Sequence, residues 1–165
     1  MNTLQEKFSD NVYIVDYPFD TDILYEEYLR AEKYFKPYSD HRGSADWWKI
    51  AKWDFKYANE LMDFFEIKGS PRFYFLGKNQ HLPKHKDNGT ECALNVVLNK
   101  NIRSAVTYDN ANYYYRSALL NTQKEHEVFN GPEDRMLFKI SIFDETFEQV
   151  RDKIESVLEK HNHTQ

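Results

Sequence analysis

His81-Leu-Pro-Lys-His85-Lys86-Asp87-Asn88-Gly89 is the stretch from which the rest of the chain is read. On an extended segment, residues two apart point the same way, so His85 and Asp87 aim an imidazole and a carboxylate into one space. Asn88-Gly89 is a turn dipeptide, which places Asp87 at a strand end where a cleft opens. His81 lies four residues before His85, the spacing of a helical ligand pair. Pro83 and the strand context argue against a helix there, so His81 is read as a rim histidine.

Two ligands do not make a metal site. A third lies downstream in His126-Glu-Val-Phe-Asn130-Gly131, and Arg135 follows nine residues after His126. His-x-Asp followed by a distant His is the two-His-one-carboxylate set that binds non-haem Fe(II) and leaves one face of the metal open. A basic residue shortly after the second His stands where a dicarboxylate cosubstrate would be anchored. A guanidinium fork suits that carboxylate. Arg135 and Lys139 share one face of their strand, so either can point inward with the other toward the rim. The spacing from His126 favours Arg135, and the alternative for Arg135 is a surface ion pair with Glu133 or Asp134.

Working outward, short alternating segments predict strands at Asn11–Asp16, Arg72–Leu76, Glu91–Leu98, Ile102–Tyr108, Tyr113–Leu120, a short one from His126, and Arg135–Phe143. Helical spacing predicts helices over Ile23–Phe35 with Asp20 as cap, over Phe55–Phe65, and from an Asp144 cap to about Lys160. Seven or so strands at close spacing, with Asn-Gly turns, read as a mainly β jelly roll with flanking α-helices. Residues 1–165 are expected to form a single domain: 1–70 an N-terminal strand, helices and a possible lid, 71–143 the jelly-roll core, and 144–165 a C-terminal helix.

The Tyr38–Trp53 stretch is the least regular and holds all three tryptophans, Trp47, Trp48 and Trp53. It reads either as a long connection packed on the barrel or as a substrate wall, since binding residues concentrate on loops held by a scaffold. His41, Arg42 and Trp47 are the substrate candidates it offers. Asn95, on an apolar strand, needs a hydrogen-bond partner if buried. It either bridges barrel strands or contacts a bound cosubstrate.

At 165 residues the chain can bury a core without staples, and aromatics make up 16% of it. The net charge of −5 argues against a general nucleic-acid binder. The single cysteine, Cys92, excludes an intramolecular disulfide, and a small buried side chain is its simplest reading. The N-terminal residues have no apolar signal core and no run approaches membrane length, so a soluble, cytoplasmic protein without membrane partners is expected.

From Arg72 to Phe143 the chain resembles the Fe(II)/2-oxoglutarate-dependent dioxygenase superfamily. His85-x-Asp87, His126-x-Val128-x-Asn130 and Arg135 carry the likeness. The second segment looks most like the prolyl- and aspartyl/asparaginyl-hydroxylase branches and small phage-type oxygenases. The aspartyl-hydroxylase branch can lack the carboxylate ligand, whereas Asp87 is present here. The interval from Asp87 to His126 is short for the superfamily. The resemblance implies a double-stranded β-helix (jelly roll, cupin-like) with Fe(II) on His85, Asp87 and His126. It implies 2-oxoglutarate with its 5-carboxylate on Arg135, and O2 as oxidant, with ascorbate assisting. Tyr74, on the first barrel strand, matches a position that often lies near the cosubstrate, although a core tyrosine fits equally. The implied reaction hydroxylates an unidentified small molecule or peptidyl side chain and releases succinate and CO2. The rivals are a non-enzymatic cupin-like binding protein and a jelly roll holding a different metal.

Overall fold

The computed structural model describes residues 10–40 and 43–163. In chain order the strands are β1 (Val12–Ile14), β2 (Lys36–Asp40), β3 (Gly43–Lys52), β4 (Ser70–Leu76), β5 (His81–His85), β6 (Cys92–Val97), β7 (Ala105–Tyr108), β8 (Ala111–Tyr113), β9 (Ser117–Leu120), β10 (His126–Phe129) and β11 (Arg135–Ile142). The helices are α1 (Thr21–Ala31), α2 (Lys56–Phe65) and α3 (Phe147–His163). One sheet runs β1-β9-β6-β11-β4-β3-β2 and the other β5-β10-β7-β8. From β4 to β11 the chain passes back and forth between the two sheets. That is the double-stranded β-helix expected above.

The period-two alternation of the central strands divides the molecule. Phe73 of β4, Leu94 and Val96 of β6, and Phe138 and Ile140 of β11 face outward from the barrel. They bury the apolar stripes of the helices: Leu24 and Tyr28 of α1, Leu61 and Phe65 of α2, Val150 and Ile154 of α3. Phe73 and Phe138 have ring centres 5.5 Å apart, with Phe55 packed on both. Their neighbours in sequence face the barrel interior, where Trp48, Leu76, Val106, Leu120, Val128 and Leu137 form a second cluster. No helix among the described residues is long and apolar enough to cross a membrane.

Asp20 caps α1 as expected, its Oδ1 accepting from the Ile23 N–H at 3.1 Å. Several boundaries differ from the sequence reading. The α-helical part of α1 ends at Ala31, and a 3₁₀ turn continues to Tyr34. The cap of α3 is Thr146, not Asp144: Thr146 Oγ1 accepts from the Gln149 N–H, and Gln149 Oε1 accepts from the Thr146 N–H. This reciprocal capping box satisfies two donors where Asp144 would satisfy one. The Tyr113–Leu120 segment is two strands in different sheets, because the chain crosses over at 114–116.

The Tyr38–Trp53 stretch, irregular by pattern, is mostly strand among the described residues. Lys36–Asp40 and Gly43–Lys52 form the antiparallel β2–β3 pair, and β3 extends the larger sheet alongside β4. Lysines on both faces of β3 hide its alternation. Lys49 lies over the Phe75 ring at 5.6 Å, and Lys52 pairs with Arg72.

Candidate metal centre

The two histidines meet through strand register. His126, first residue of β10, is directly opposite His85, last residue of β5. Directly opposed residues on antiparallel strands have Cβ atoms about 4.5–5.5 Å apart, and the two ring centres here are 4.4 Å apart. Asp87 lies just beyond β5 in a turn closed by Gly89, whose φ of 77° is one that glycine adopts without strain. The Asp87 N–H donates to Thr122 O at 2.9 Å, and Gln123 Nε2 donates to Asp87 O at 3.2 Å. These bonds tie the turn to the segment that leads into His126. His85, Asp87 and His126 each offer one ligand atom, all within 4.8 Å of one another.

Their tautomers suit a cation. His85 Nδ1 lies 2.6 Å from Pro83 O, and His126 Nδ1 lies 2.8 Å from Lys124 O. A carbonyl only accepts, so Nδ1 carries the proton in each neutral ring and Nε2 presents a lone pair. Those Nε2 atoms point at Asp87 Oδ1, at 3.1 and 3.5 Å. Three lone-pair atoms converging without a proton between them form a donor set for a divalent metal.

Burial pushes the Asp87 carboxyl up. The contacts with His126 and His85 and the charge of Lys139 outweigh it and hold the group well below the usual carboxylate range. Lys139 Nζ is 4.0 Å from the other oxygen, Oδ2, and 4.6 Å from the Tyr74 ring centre. Burial opposes the Lys139 charge, yet Tyr74 and Asp87 hold its pKa above the usual lysine value. The Tyr108 ring stacks 5.4 Å from that of His126, and its hydroxyl donates to Asn121 O at 2.9 Å.

The three residues open onto a barrel cavity of about 210 Å³. Arg135, Lys139, Tyr74 and Asn95 all line it. Arg135 is 5% exposed and makes no ion pair with Glu133, which pairs instead with Arg103 at 3.5 Å. Arg135 Nη2 donates to Tyr115 Oη at 2.7 Å, and Asn95 Nδ2 donates to the same oxygen at 3.0 Å. The Tyr115 hydroxyl accepts both bonds, so its own proton is left for a further acceptor. Arg135 Nε and Asn95 Oδ1 are buried without a hydrogen-bond partner. Such groups are costly unless something binds there.

Sequence reasoning left one of Arg135 and Lys139 for the rim, whereas both enter the cavity. It missed Tyr115, because Tyr113–Leu120 reads as one continuous strand whereas the chain crosses between the sheets at 114–116. Trp48 and Tyr38 line the cavity, their rings stacked 4.3 Å apart, and Trp47 lies beside them without lining it. His41 and Arg42 fall outside the described residues. His81 is exposed, 3.0 Å from Glu127 and stacked on Phe129, away from the three ligands.

No protein-family model matches the chain, and no curated protein sequence matches it. Solved structures do. A prolyl hydroxylase from Trichoplax adhaerens, in complex with a hypoxia inducible factor oxygen degradation domain peptide fragment, superposes with a TM-score of 0.64 over 88% of each chain at 15% identity. A prolyl-4-hydroxylase from Pseudomonas putida gives 0.60 over 85% of this chain and 97% of that one, at 13% identity. An oxidoreductase of the 2OG-Fe(II) oxygenase family from Burkholderia pseudomallei gives 0.55 over 86% and 89%, at 9% identity. The chain thus has the fold of the 2OG-Fe(II) oxygenases, as its motifs suggested, and holds a His-Asp-His cluster that could bind a metal.

Proposed function

We propose that this protein is an Fe(II)- and 2-oxoglutarate-dependent oxygenase that hydroxylates a small molecule or a peptidyl side chain. One observation carries the reading beyond fold: a buried, partly unpaired guanidinium shares the cavity of the His-Asp-His cluster. A cupin-like metal binder has no use for that guanidinium, whereas a cosubstrate bearing a second carboxylate does. The T. adhaerens neighbour, whose structure contains a peptide, makes a peptidyl substrate one of the two forms to test.

His85, Asp87 and His126 would hold the iron, which when bound supplies the oxidative decarboxylation of 2-oxoglutarate and the oxidation of the substrate. Each residue then has a defined task. The carbonyls of Pro83 and Lys124 keep Nδ1 protonated and Nε2 free to ligate. Lys139 lies 4.0 Å from Asp87 Oδ2, while Oδ1 faces both imidazoles and would take the metal. Arg135 and the Tyr115 hydroxyl would receive the distal carboxylate of 2-oxoglutarate, a charge-assisted contact in a water-poor setting. The rings of Tyr38, Trp48 and Tyr74 and the Leu82 side chain wall the cavity and restrict water.

The test is succinate formation by protein supplied with Fe(II), ascorbate and labelled 2-oxoglutarate, with and without His126→Ala. Slow uncoupled turnover in the parent protein alone is the expected result. Neither iron binding nor succinate would move the assignment to a metal-free barrel. Iron binding with no change on adding 2-oxoglutarate would reject the cosubstrate.

A further inference from the structure

The cavity side of the larger sheet carries a row of cations that the cosubstrate does not account for. Strand registers set Lys52 opposite Arg72, Arg72 opposite Lys139, and Lys139 opposite Asn95. Directly opposed residues share a face of the sheet, so three positive side chains stand in line across β3, β4 and β11. Like charges so placed repel, and this occurs in a chain whose net charge is −5.

Among the described residues, only Lys139 of the three has an anion, Asp87. Arg72 lines the cavity, half-buried, between Lys52 and Lys139. Its Nε donates to Ser70 Oγ at 3.4 Å, and its guanidinium carbon lies 5.6 Å from the ring centre of Phe143, which is 40% exposed. These contacts orient the fork and leave both terminal nitrogens without a partner. Among the described residues no carboxylate pairs with Arg72 or Lys52. Arg135 enters the cavity four residues earlier on β11, about 13 Å along the strand, so it serves the other end.

We propose that Arg72, supported by Lys52, anchors a carboxylate of the substrate that is oxidised, beside Asp87 at the cavity mouth. The substrate is therefore an organic acid whose apolar part lies against the Tyr38–Trp48 wall. This assignment rests on the oxygenase reading. A small acid and an acidic peptide side chain offer the same chemistry, and the test separates them.

The experiment uses Mn(II)-loaded protein with saturating 2-oxoglutarate under anaerobic conditions and follows tryptophan fluorescence, since Trp48 lines the cavity. Two matched pairs are titrated. One is N-acetyl-L-leucine against its primary amide. The other is acetyl-Ala-Glu-Ala-amide against the glutamine peptide. The acid of at least one pair should bind at least tenfold more tightly than its uncharged partner, and that pair identifies the source of the carboxylate. Arg72→Gln should reduce the preference to within twofold and Arg72→Lys should keep part of it. Neither should lower the unfolding midpoint or the affinity for 2-oxoglutarate. A preference that survives Arg72→Gln overturns the assignment, as does the absence of any acid preference. So does inorganic phosphate competing as well as the acid. Failure of 2-oxoglutarate itself to bind removes the oxygenase reading and this inference together. Its binding without an acid preference removes this inference alone.

Discussion

The two faces of the larger sheet are built from the same strands and have opposite characters. On β11, Phe138 and Ile140 turn to the helices, while Arg135 and Lys139 turn into the barrel. On β4, Phe73 faces the helices, with Arg72 and Tyr74 on the other side. The helix face buries rings and aliphatic chains that need no partner. The barrel face buries cations, an amide and phenols that need one, and two of its atoms lack it. Burial of apolar surface holds the first face together, whereas the second retains polar groups that cost stability unless a ligand satisfies them. One face thus supplies the rigidity that keeps the other in position.

The largest effect expected from breaking this division lies on the barrel face. His126→Ala removes one of three lone pairs. Metal affinity should fall by more than about 100-fold, and succinate formation should fall to background, as read from metal content after dialysis and from product assay. Retention of stoichiometric metal would show that His126 is not a ligand. On the helix face, Phe138→Ala should cost about 3–5 kcal/mol in urea unfolding. The folded fraction should keep its metal affinity, and loss of metal by correctly folded protein would show that the two faces are coupled.

Arg135→Gln should raise the 2-oxoglutarate requirement by roughly 10- to 100-fold, since a hydrogen bond to a charged group contributes about 1.5–3 kcal/mol. Metal binding should be unchanged. An unaltered requirement would mean that Lys139 or Arg72 holds the cosubstrate.

The smallest effect concerns Cys92, on the helix side of β6. Burial, with Glu91, Glu145 and Glu148 adding to it, pushes its thiol up to about 12. The folded state keeps the proton that an unfolded thiol loses near pH 8.5. Its contribution to stability is complete below about pH 8.5 and is lost as pH rises toward the folded value. Between about pH 8.5 and 10, Cys92→Ala should flatten the fall of unfolding free energy with pH. Iodoacetamide should label the native protein only as fast as it unfolds, and rapid labelling at pH 8 would refute the buried-thiol assignment.

The legible parts of this molecule share one property: their signals are local. His85-x-Asp87 followed by Asn88-Gly89 specifies a common face and then a turn. The stripe of Phe147, Val150 and Ile154 specifies the buried side of α3. Where local signals conflict, the reading fails. Lys49 and Lys52 fall on opposite faces of β3, so 43–52 looks irregular until Phe75 and Arg72 are seen across the strand. The α3 cap is a different case. Thr146-x-x-Gln149 is a capping-box pattern present in the sequence, and Asp144 drew attention only by coming first.

By itself the sequence determined the fold class and the order of the candidate ligands His85, Asp87 and His126, because alternation and turn residues act over a few positions. The tertiary structure alone decided that His126 stands opposite His85, that Arg135 and Tyr115 meet, and that Lys52, Arg72 and Lys139 line up across three strands with Lys139 beside Asp87. These pairings depend on register between strands far apart in the chain. Register is set by which faces can be buried together, so no single segment encodes it.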